Sequence, residues 1–226
     1  MKSPNLKEEK KLWRKGYKHI ACIDEAGRGP LAGPVVAAAV MIDLKFKNSD
    51  LRFLKGIRDS KKLSSKKREE SYKIITNQPA IKWGIGVVSE RVIDKINIKN
   101  AAELAMAKAL ANLKIKSPKL KVDYLIIDGN QVANLKLKTY NLKLIVKADE
   151  KVFSCALASI IAKVTRDRIM ARYHKKYPRY GFDKHKGYPT KYHVRMLKKY
   201  GRCDIHRKSY HYGRSTKTKT YQIKKK

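Results

Sequence analysis

Cysteine is scarce in this chain of 226 residues, and its three copies, Cys22, Cys155 and Cys203, are widely spaced. An odd number of cysteines, mostly within apolar runs, argues against a disulfide framework and predicts a reducing, cytoplasmic location. No segment approaches the roughly 20 apolar residues that a membrane-spanning helix needs. The charged start, Met1 to Lys15, lacks the apolar region and cleavage site of a secretory signal. We therefore expect a soluble protein that is neither exported nor membrane-bound.

Acidic residues are also few. The chain has 19 Asp and Glu against 55 Lys and Arg, which gives a net charge of +36. Solubility does not require such an excess, and it indicates a polyanionic partner such as nucleic acid. A general drift toward lysine is a competing explanation, so charge alone identifies no activity. The hydrophobic content of 42% nevertheless supports a packed core.

The apolar patterns predict strands mixed with crossover helices, which is typical of an α/β fold. The first three strands have the order of an antiparallel series, and a helix then crosses over to a parallel strand. The predicted strands are Ile20–Ile23, Val35–Ile42, Ile81–Val88, Tyr124–Ile127 and Leu142–Val146. The predicted helices run from Ser64 or Ser65 to about Thr76, Asn100 to Leu113, Lys151 to about Tyr173, and Thr190 to Tyr200.

Composition shifts predict four parts along the chain. Residues 1–17 form a charged N-terminal extension, and residues 18–173 form the α/β domain. Residues 174–205, rich in Lys, Tyr, His and Gly, form a small basic helical appendage. Residues 206–226 lack an apolar period, and we expect this basic tail to be loosely ordered.

Acidic side chains follow several of the predicted strands. Asp24 and Glu25 follow the first strand, Asp128 follows the fourth, and Asp149 follows the fifth and precedes the long helix. A single acid in such a place is more often a turn former or a helix cap. Four acids at strand ends, with no histidine or cysteine among them, instead indicate a site for a hard cation such as Mg²⁺ or Mn²⁺.

A metal site of this kind in a basic chain predicts phosphodiester hydrolysis. Carboxylates brought together would repel one another unless a divalent cation neutralised them, while the surrounding Lys and Arg attract phosphate. Two cations roughly 4 Å apart could position a water and stabilise the leaving oxygen. We therefore expect no covalent intermediate.

Four stretches of the sequence closely resemble motifs of the type 2 ribonuclease H family, in the family's order. The first, residues 24–35, reads DEAGRGPLAGPV and is highly specific. The others are DSKKLS at residues 59–64, IDGN at 127–130 and ASIIAKVTRD at 158–167. The resemblance extends from about Ile20 to Tyr200, and it implies a ribonuclease H-like mixed central sheet flanked by helices.

The resemblance implies roles for individual residues. Asp24, Glu25, Asp128 and Asp149 match the family's four metal-binding acids. Many relatives have Gly-Asp-Ser where this chain has Ala148-Asp149-Glu150, so Glu150 is a neighbouring carboxylate, and we favour Asp149 as the ligand.

Recognition of the ribose is assigned by resemblance to a turn and a tyrosine. Gly27, Arg28 and Gly29 match the turn whose backbone reads the 2′-OH, and glycine permits the close approach that this needs. Tyr188, in the stretch HKGYPT at residues 185–190, matches the tyrosine that stacks near the sugar. Tyr180 is the nearby competitor, and motif spacing favours Tyr188.

Phosphate contacts are predicted at Lys61 and Lys62 and on the long helix. Ser159 and Lys163 lie four residues apart and so share a helix face, where a hydroxyl and an ammonium could meet one phosphate. A solvated lysine is the ordinary alternative. Cys203, His206 and His211 lack a fourth ligand and the spacing of a zinc finger, so we expect surface residues there.

The family resemblance implies an endonuclease that hydrolyses the RNA strand of RNA–DNA hybrids. It also implies cutting 5′ to single ribonucleotides in duplex DNA, with 3′-OH and 5′-phosphate ends, in ribonucleotide excision repair and DNA replication. We expect a cytoplasmic monomer. Two alternatives stay open: a non-catalytic nucleic-acid-binding protein, which would not explain the acids, and the related type 3 enzyme, whose opening motif lacks the Gly-Arg-Gly turn.

Overall fold

A five-stranded mixed sheet forms the centre of the protein in the computed structural model, which describes residues 4–43, 63–118, 121–133 and 135–212. The strand order is β3-β2-β1-β4-β5. Strands β1, β2 and β3 are antiparallel neighbours, and β4 and β5 run parallel to β1. The strands are β1 (Ile20–Ala26), β2 (Val35–Ile42), β3 (Ile81–Val88), β4 (Tyr124–Asp128) and β5 (Asn141–Ile145).

Helices cover both faces of this sheet. The helices are α1 (Lys7–Arg14), α2 (Ser65–Asn77), α3 (Glu90–Lys116), α4 (Leu135–Lys138), α5 (Phe153–Lys176), α6 (Phe182–His185) and α7 (Lys191–Tyr200). Helix α3 packs on one face with alternate residues of β1 and β2, including Ala21 and Ile23. Helix α5 packs on the opposite face. The expected α/β fold with a mixed sheet and flanking helices is confirmed.

Close contact between α3 and β3 depends on two glycines. A Cβ atom at Gly86 would lie 2.0 Å from the carbonyl oxygen of Ala105, and one at Gly84 would lie 2.3 Å from that of Ala109. Real Cβ contacts are never this short, so only glycine lets the helix backbone approach the strand so closely. Within α3, Asn97 leaves helical geometry with φ of 63°.

Cys22 and Cys155 form a disulfide between β1 and α5. The sequence argued against any disulfide, and for this pair that expectation is wrong. The two residues are 133 positions apart, but packing of α5 on the sheet brings their Cα atoms within 5.0 Å. The cysteine pattern therefore no longer supports a reducing compartment.

Both ends of the described chain pack against the central domain. In α1, Leu12 is buried, and the buried carboxylate of Glu9 accepts hydrogen bonds from the amide and hydroxyl of Ser154. Residues 206–212 were expected to belong to a loosely ordered tail, but His206 and Arg207 are buried against the loop between β1 and β2. The rest of that tail, 213–226, lies outside the described residues. In the described part, no helix is long and apolar enough to cross a membrane.

Candidate active site

Two neighbouring parallel strands bring Asp24 and Asp128 together. Cys22 of β1 lies opposite Ile126 of β4, and side chains alternate between the faces of a sheet. Two residues further along each strand, Asp24 and Asp128 therefore project from the face that α5 covers. Asp24 lies within β1, which continues beyond the predicted end at Ile23 because its pairing with β2 extends to Ala26.

Asp149 completes the acidic cluster. It lies in the single turn of 3₁₀-helix Ala148–Glu150 just before α5. Carboxylate oxygens of Asp24, Asp128 and Asp149 all lie within 4.8 Å of one another, and this is the one group of three potential metal ligands found among the described residues. Asp149 is 3% exposed. Glu150 is exposed and outside the group.

The cluster is electrostatically strained without a cation. Burial, together with the charges of Glu25 and Asp128, raises the pKa of Asp24 well above its ordinary value. One oxygen of Asp24 accepts a hydrogen bond from the Glu25 amide at 2.7 Å, and one of Asp128 accepts from the Ala148 amide at 3.1 Å. Backbone amides thus orient the carboxylates but do not neutralise them. Three converging carboxylates of this kind fit a hard divalent cation.

Glu25, the fourth predicted ligand, lies beside this group rather than within it. Its carboxylate forms an ion pair with Arg28 at 3.2 Å. Burial raises the pKa of Glu25, although the Arg28 charge acts in the opposite direction. Its second oxygen is buried with no hydrogen-bond partner in the described structure. The Asp128 charge also raises the pKa of Glu25, so the two carboxylates lie near each other.

The turn at Gly27, Arg28 and Gly29 begins where β1 ends. Gly27 has φ of +99°, and a Cβ atom there would lie 2.1 Å from the Arg166 side chain, so both its conformation and its packing require glycine. Gly29 has neither constraint, because its Cβ atom would meet only the Tyr188 ring, at 3.6 Å. The Arg28 side chain is half-exposed.

Tyr188 lies next to this turn, as the contact with Gly29 shows, and is 44% exposed. Its competitor, Tyr180, is 4% exposed and donates a hydrogen bond to the carbonyl of Gly201. Tyr180 also stacks on Phe182 inside the core. Of the two, only Tyr188 offers a ring face beside the turn.

The residues predicted to contact phosphate are found in different settings. Ser159 lies beside the acidic cluster, where its hydroxyl lowers the pKa of Asp24. Lys163 forms an ion pair with Asp167, and burial lowers the pKa of its ammonium. Lys61 and Lys62 lie outside the described residues.

Of the three residues expected at the surface, His211 is exposed, Cys203 is half-buried and His206 is buried. His193 and His206 are buried, and His185 stacks on His193 with ring centroids 4.4 Å apart. His206 Nδ1 lies 3.2 Å from the Cys203 sulfur. These residues do not meet the distance condition for a metal site that the acidic group meets. The expected exposure was therefore wrong for His206.

Two buried arginines next to the turn were not identified from the sequence. Arg166 lies within the recognised stretch at residues 158–167 but was given no role. Arg207 lies where loose order was expected. Both are 1% exposed, and both donate hydrogen bonds to backbone carbonyls between residues 27 and 34. A single basic residue among 55 gives no sequence signal, so only the folded chain identifies them.

Comparison with known proteins gives consistent matches. A family model described as Ribonuclease HII matches residues 21–212 of this chain. The Ribonuclease HII of Caldicellulosiruptor bescii is 48% identical over 202 residues, covering 89% of this chain and 91% of the relative. Sequence similarity therefore spans the sheet, the acidic cluster and the appendage.

Solved structures give the same fold. The RNase HII of Archaeoglobus fulgidus, solved in complex with PCNA, superimposes with a TM-score of 0.69 at 28% identity, covering 88% of this chain and 98% of that one. Bst-RNase HIII in complex with Mn²⁺ gives a TM-score of 0.62 at 19% identity, covering 81% of this chain and 63% of that one. The ribonuclease H-like fold is thus shared by both types of enzyme.

Proposed function

The chain belongs to the ribonuclease HII family and is an endoribonuclease that acts on the RNA of RNA–DNA hybrids, and we propose that it also incises duplex DNA 5′ to a single embedded ribonucleotide, leaving 3′-OH and 5′-phosphate ends. The observation that supports this proposal most strongly is the position of the acidic group, Asp24, Asp128 and Asp149, directly beside the Gly27–Gly29 turn. This arrangement would set a cation site next to a backbone segment that can inspect a sugar. The match to the type 2 family sets the type 3 alternative aside.

Asp24, Asp128 and Asp149 would hold Mg²⁺ or Mn²⁺, since carboxylate oxygens are the ligands these ions prefer. When bound, the metal would activate water and stabilise negative charge at the scissile phosphate. The raised pKa of Asp24 supports this assignment, because a buried carboxylate among like charges is stabilised by a cation. We propose Glu25 as the fourth ligand, through its buried second oxygen.

The ribose would be recognised by the turn and Tyr188 together. Glycine at 29 leaves the main chain open to close approach, Gly27 gives the turn its left-handed conformation, and the exposed Tyr188 ring beside Gly29 offers a surface for the sugar. A deoxyribose would lack the hydroxyl that the turn amides are proposed to contact. Specificity then comes from backbone groups rather than from base reading.

The net charge of +36 supports binding of the duplex through its phosphates. We propose that Lys61, Lys62, Ser159 and Lys163 contribute phosphate contacts. For Lys163 this requires phosphate to compete with Asp167, its ion-pair partner.

We also propose a cellular role and a location for this activity. The activity would serve removal of ribonucleotides from DNA and of RNA from hybrids during replication, by a cytoplasmic monomer. Family membership supports the pathway, while the disulfide removes the cysteine argument for the location.

Product analysis tests the proposal. A duplex with one ribonucleotide, labelled at either end, is incubated with the protein and Mg²⁺ or Mn²⁺, and the new termini are identified by mass spectrometry. A 3′-OH on the DNA side of the nick and a 5′-phosphate on the ribonucleotide are expected. A 3′-phosphate or cyclic phosphate would contradict metal-assisted hydrolysis. Tight binding without cutting under either metal would favour the non-catalytic alternative.

A further inference from the structure

The buried side chains of Arg166 and Arg207 donate hydrogen bonds to backbone carbonyls of the loop between β1 and β2. Arg207 donates from Nε to the carbonyl of Gly33 at 3.0 Å, from Nη1 to that of Arg28 at 2.9 Å, and from Nη2 to that of Gly27 at 2.5 Å. Arg166 donates from Nε to the carbonyl of Pro34 at 2.9 Å and from Nη2 to that of Ala32 at 3.1 Å. Two guanidinium groups therefore hold most carbonyls of the loop.

Neither guanidinium forms an ion pair with a carboxylate in the described part of the chain. Their hydrogen bonds go mainly to backbone oxygens, and Arg207 also interacts with the Tyr210 side chain. Burial lowers the pKa of Arg166 to about 10, so this side chain stays charged at neutral pH, and burial also lowers the pKa of Arg207. A buried charge without a partner charge is costly. An apolar side chain would fill the same space without this cost. A guanidinium group, in contrast, can donate hydrogen bonds to several carbonyls at once.

Peptide geometry relates these contacts to the ribose site. In a trans peptide the carbonyl of one residue and the amide of the next point in opposite directions, and no cis peptide occurs in the described residues. Arg207 draws the carbonyls of Gly27 and Arg28 toward itself. The amides of Arg28 and Gly29 must then point away from Arg207, toward the outer side of the turn.

Two further contacts tie the rest of the ribose site to the same arginines. Arg166 Nη1 donates to the carbonyl of Lys186 at 3.0 Å, two residues before Tyr188. The Tyr210 hydroxyl donates to the carbonyl of Arg28 at 2.7 Å, as a second donor to the oxygen that Arg207 also holds. The turn and the tyrosine beside it are thus held in one hydrogen-bonded frame.

We propose that Arg166, Arg207 and Tyr210 are positioning residues for ribose specificity: they fix the Gly27 and Arg28 peptides so that the amides of Arg28 and Gly29 face the 2′-OH. The inference rests on the proposed function, because it assumes that the turn reads the ribose. It makes residues 205–210 part of the specificity apparatus. All three side chains are buried, so we expect them to act through the turn and not on the substrate directly.

The test compares binding to two duplexes that differ in one 2′-OH. Every variant carries Asp24→Asn so that the duplex is not cut, and affinities for the ribonucleotide-containing and the all-DNA duplex are measured in Mg²⁺ by fluorescence anisotropy. The readout is their ratio, which cancels phosphate contacts common to both. Arg207→Lys keeps the positive charge but loses the several N–H donors of the planar guanidinium. We expect the ratio of the two affinities to fall about tenfold or more. Arg168→Lys is the matched control, because Arg168 pairs with Glu69 on the surface, and its ratio should not change.

Tyr210→Phe is a second, milder variant that tests the inference even if Arg207→Lys fails to fold. It removes the hydroxyl that donates to the Arg28 carbonyl and keeps the ring in the core. We expect the ratio to fall about threefold or more, with a melting temperature within about 4 °C of the parent's. A folded Arg207→Lys or Tyr210→Phe protein with the parent's ratio would overturn the inference. So would an equal fall in the Arg168→Lys control.

The two possible failures are distinguishable. A parent protein that binds both duplexes equally would overturn ribose recognition by the turn, and with it the proposed function. A parent that prefers the ribonucleotide duplex, with arginine variants that keep the preference, would overturn only the positioning role.

Discussion

The Nε2 atoms of His193 and His206 lie 3.0 Å apart in the buried interior of the C-terminal part. His193 Nδ1 lies 2.9 Å from the carbonyl of Tyr188, which accepts only from a protonated nitrogen, so His193 Nε2 is the acceptor of the pair. His206 Nε2 then donates, and its Nδ1 accepts from the amide of Cys203 at 2.9 Å. Both rings are therefore neutral in this arrangement.

This histidine pair predicts loss of stability in acid. Burial lowers the pKa of both His193 and His206 to about 4 in the folded protein, against 6.5 when exposed. The unfolded chain thus binds more protons between these values, and stability falls as pH drops from about 6.5 toward 4. Urea midpoints measured from pH 7 to pH 4 should show this fall. His206→Gln should flatten the curve and His211→Asn should not; parallel curves for all three proteins would contradict the assignment.

Asp24→Asn should stabilise the metal-free protein. The raised pKa of Asp24 means that its charged form is disfavoured in the folded state, so the amide removes a cost present at neutral pH. We expect the melting temperature in EDTA to rise by about 2 °C or more. Mn²⁺ should raise that of the wild type and have little effect on the variant, because it binds the folded site. A destabilised variant, or equal responses to Mn²⁺, would argue against a cation site at Asp24.

Asp149 and its neighbour provide a direct comparison of two adjacent acids. Asp149→Asn removes a ligand of the acidic cluster, and we expect cleavage to fall about a hundredfold or more. Glu150→Gln changes an exposed carboxylate outside the cluster, and activity should stay within about threefold. Steady-state cleavage of an RNA–DNA hybrid measures both. The reverse order of effects would transfer the ligand role to Glu150.

The two glycines of the turn should differ in their effect on stability. Gly27→Ala introduces a Cβ against Arg166 at a φ of +99°, and strain alone costs about 1–3 kcal/mol. Gly29→Ala meets only the Tyr188 ring at 3.6 Å, so its free energy of unfolding should change by less than about 0.5 kcal/mol. Urea unfolding of both variants compares them directly. Equal losses would mean that Arg166 does not pack against Gly27 as described.

The acidic cluster could be predicted from sequence because strand periodicity and the order of elements determine it locally. Asp24 and Asp128 follow apolar runs that become parallel neighbours, and Asp149 immediately precedes a helix that packs on the same face. Family motifs gave the same residues independently. The division of the chain into parts stays a prediction.

The support of the turn could not be predicted, because it depends on contacts between distant parts of the chain. Arg207 meets Gly27 across 180 positions, and Cys22 meets Cys155 across 133. No local pattern marks such partners. The segment around Arg207 has no apolar period, since the polar residues His206 and Arg207 are buried there beside the apolar Ile205. Its composition alone therefore indicates a tail.

The most direct test of the account is nicking of a DNA duplex that contains one ribonucleotide, by wild type and Asp24→Asn, in Mg²⁺, Mn²⁺ or EDTA. The same duplex with deoxyribose at that position is the control for the 2′-OH. We expect metal-dependent nicking 5′ to the ribonucleotide, no nicking in EDTA, no nicking of the all-DNA duplex, and loss of activity in the variant. Cutting that persists in EDTA or in Asp24→Asn, or that ignores the 2′-OH, would contradict it.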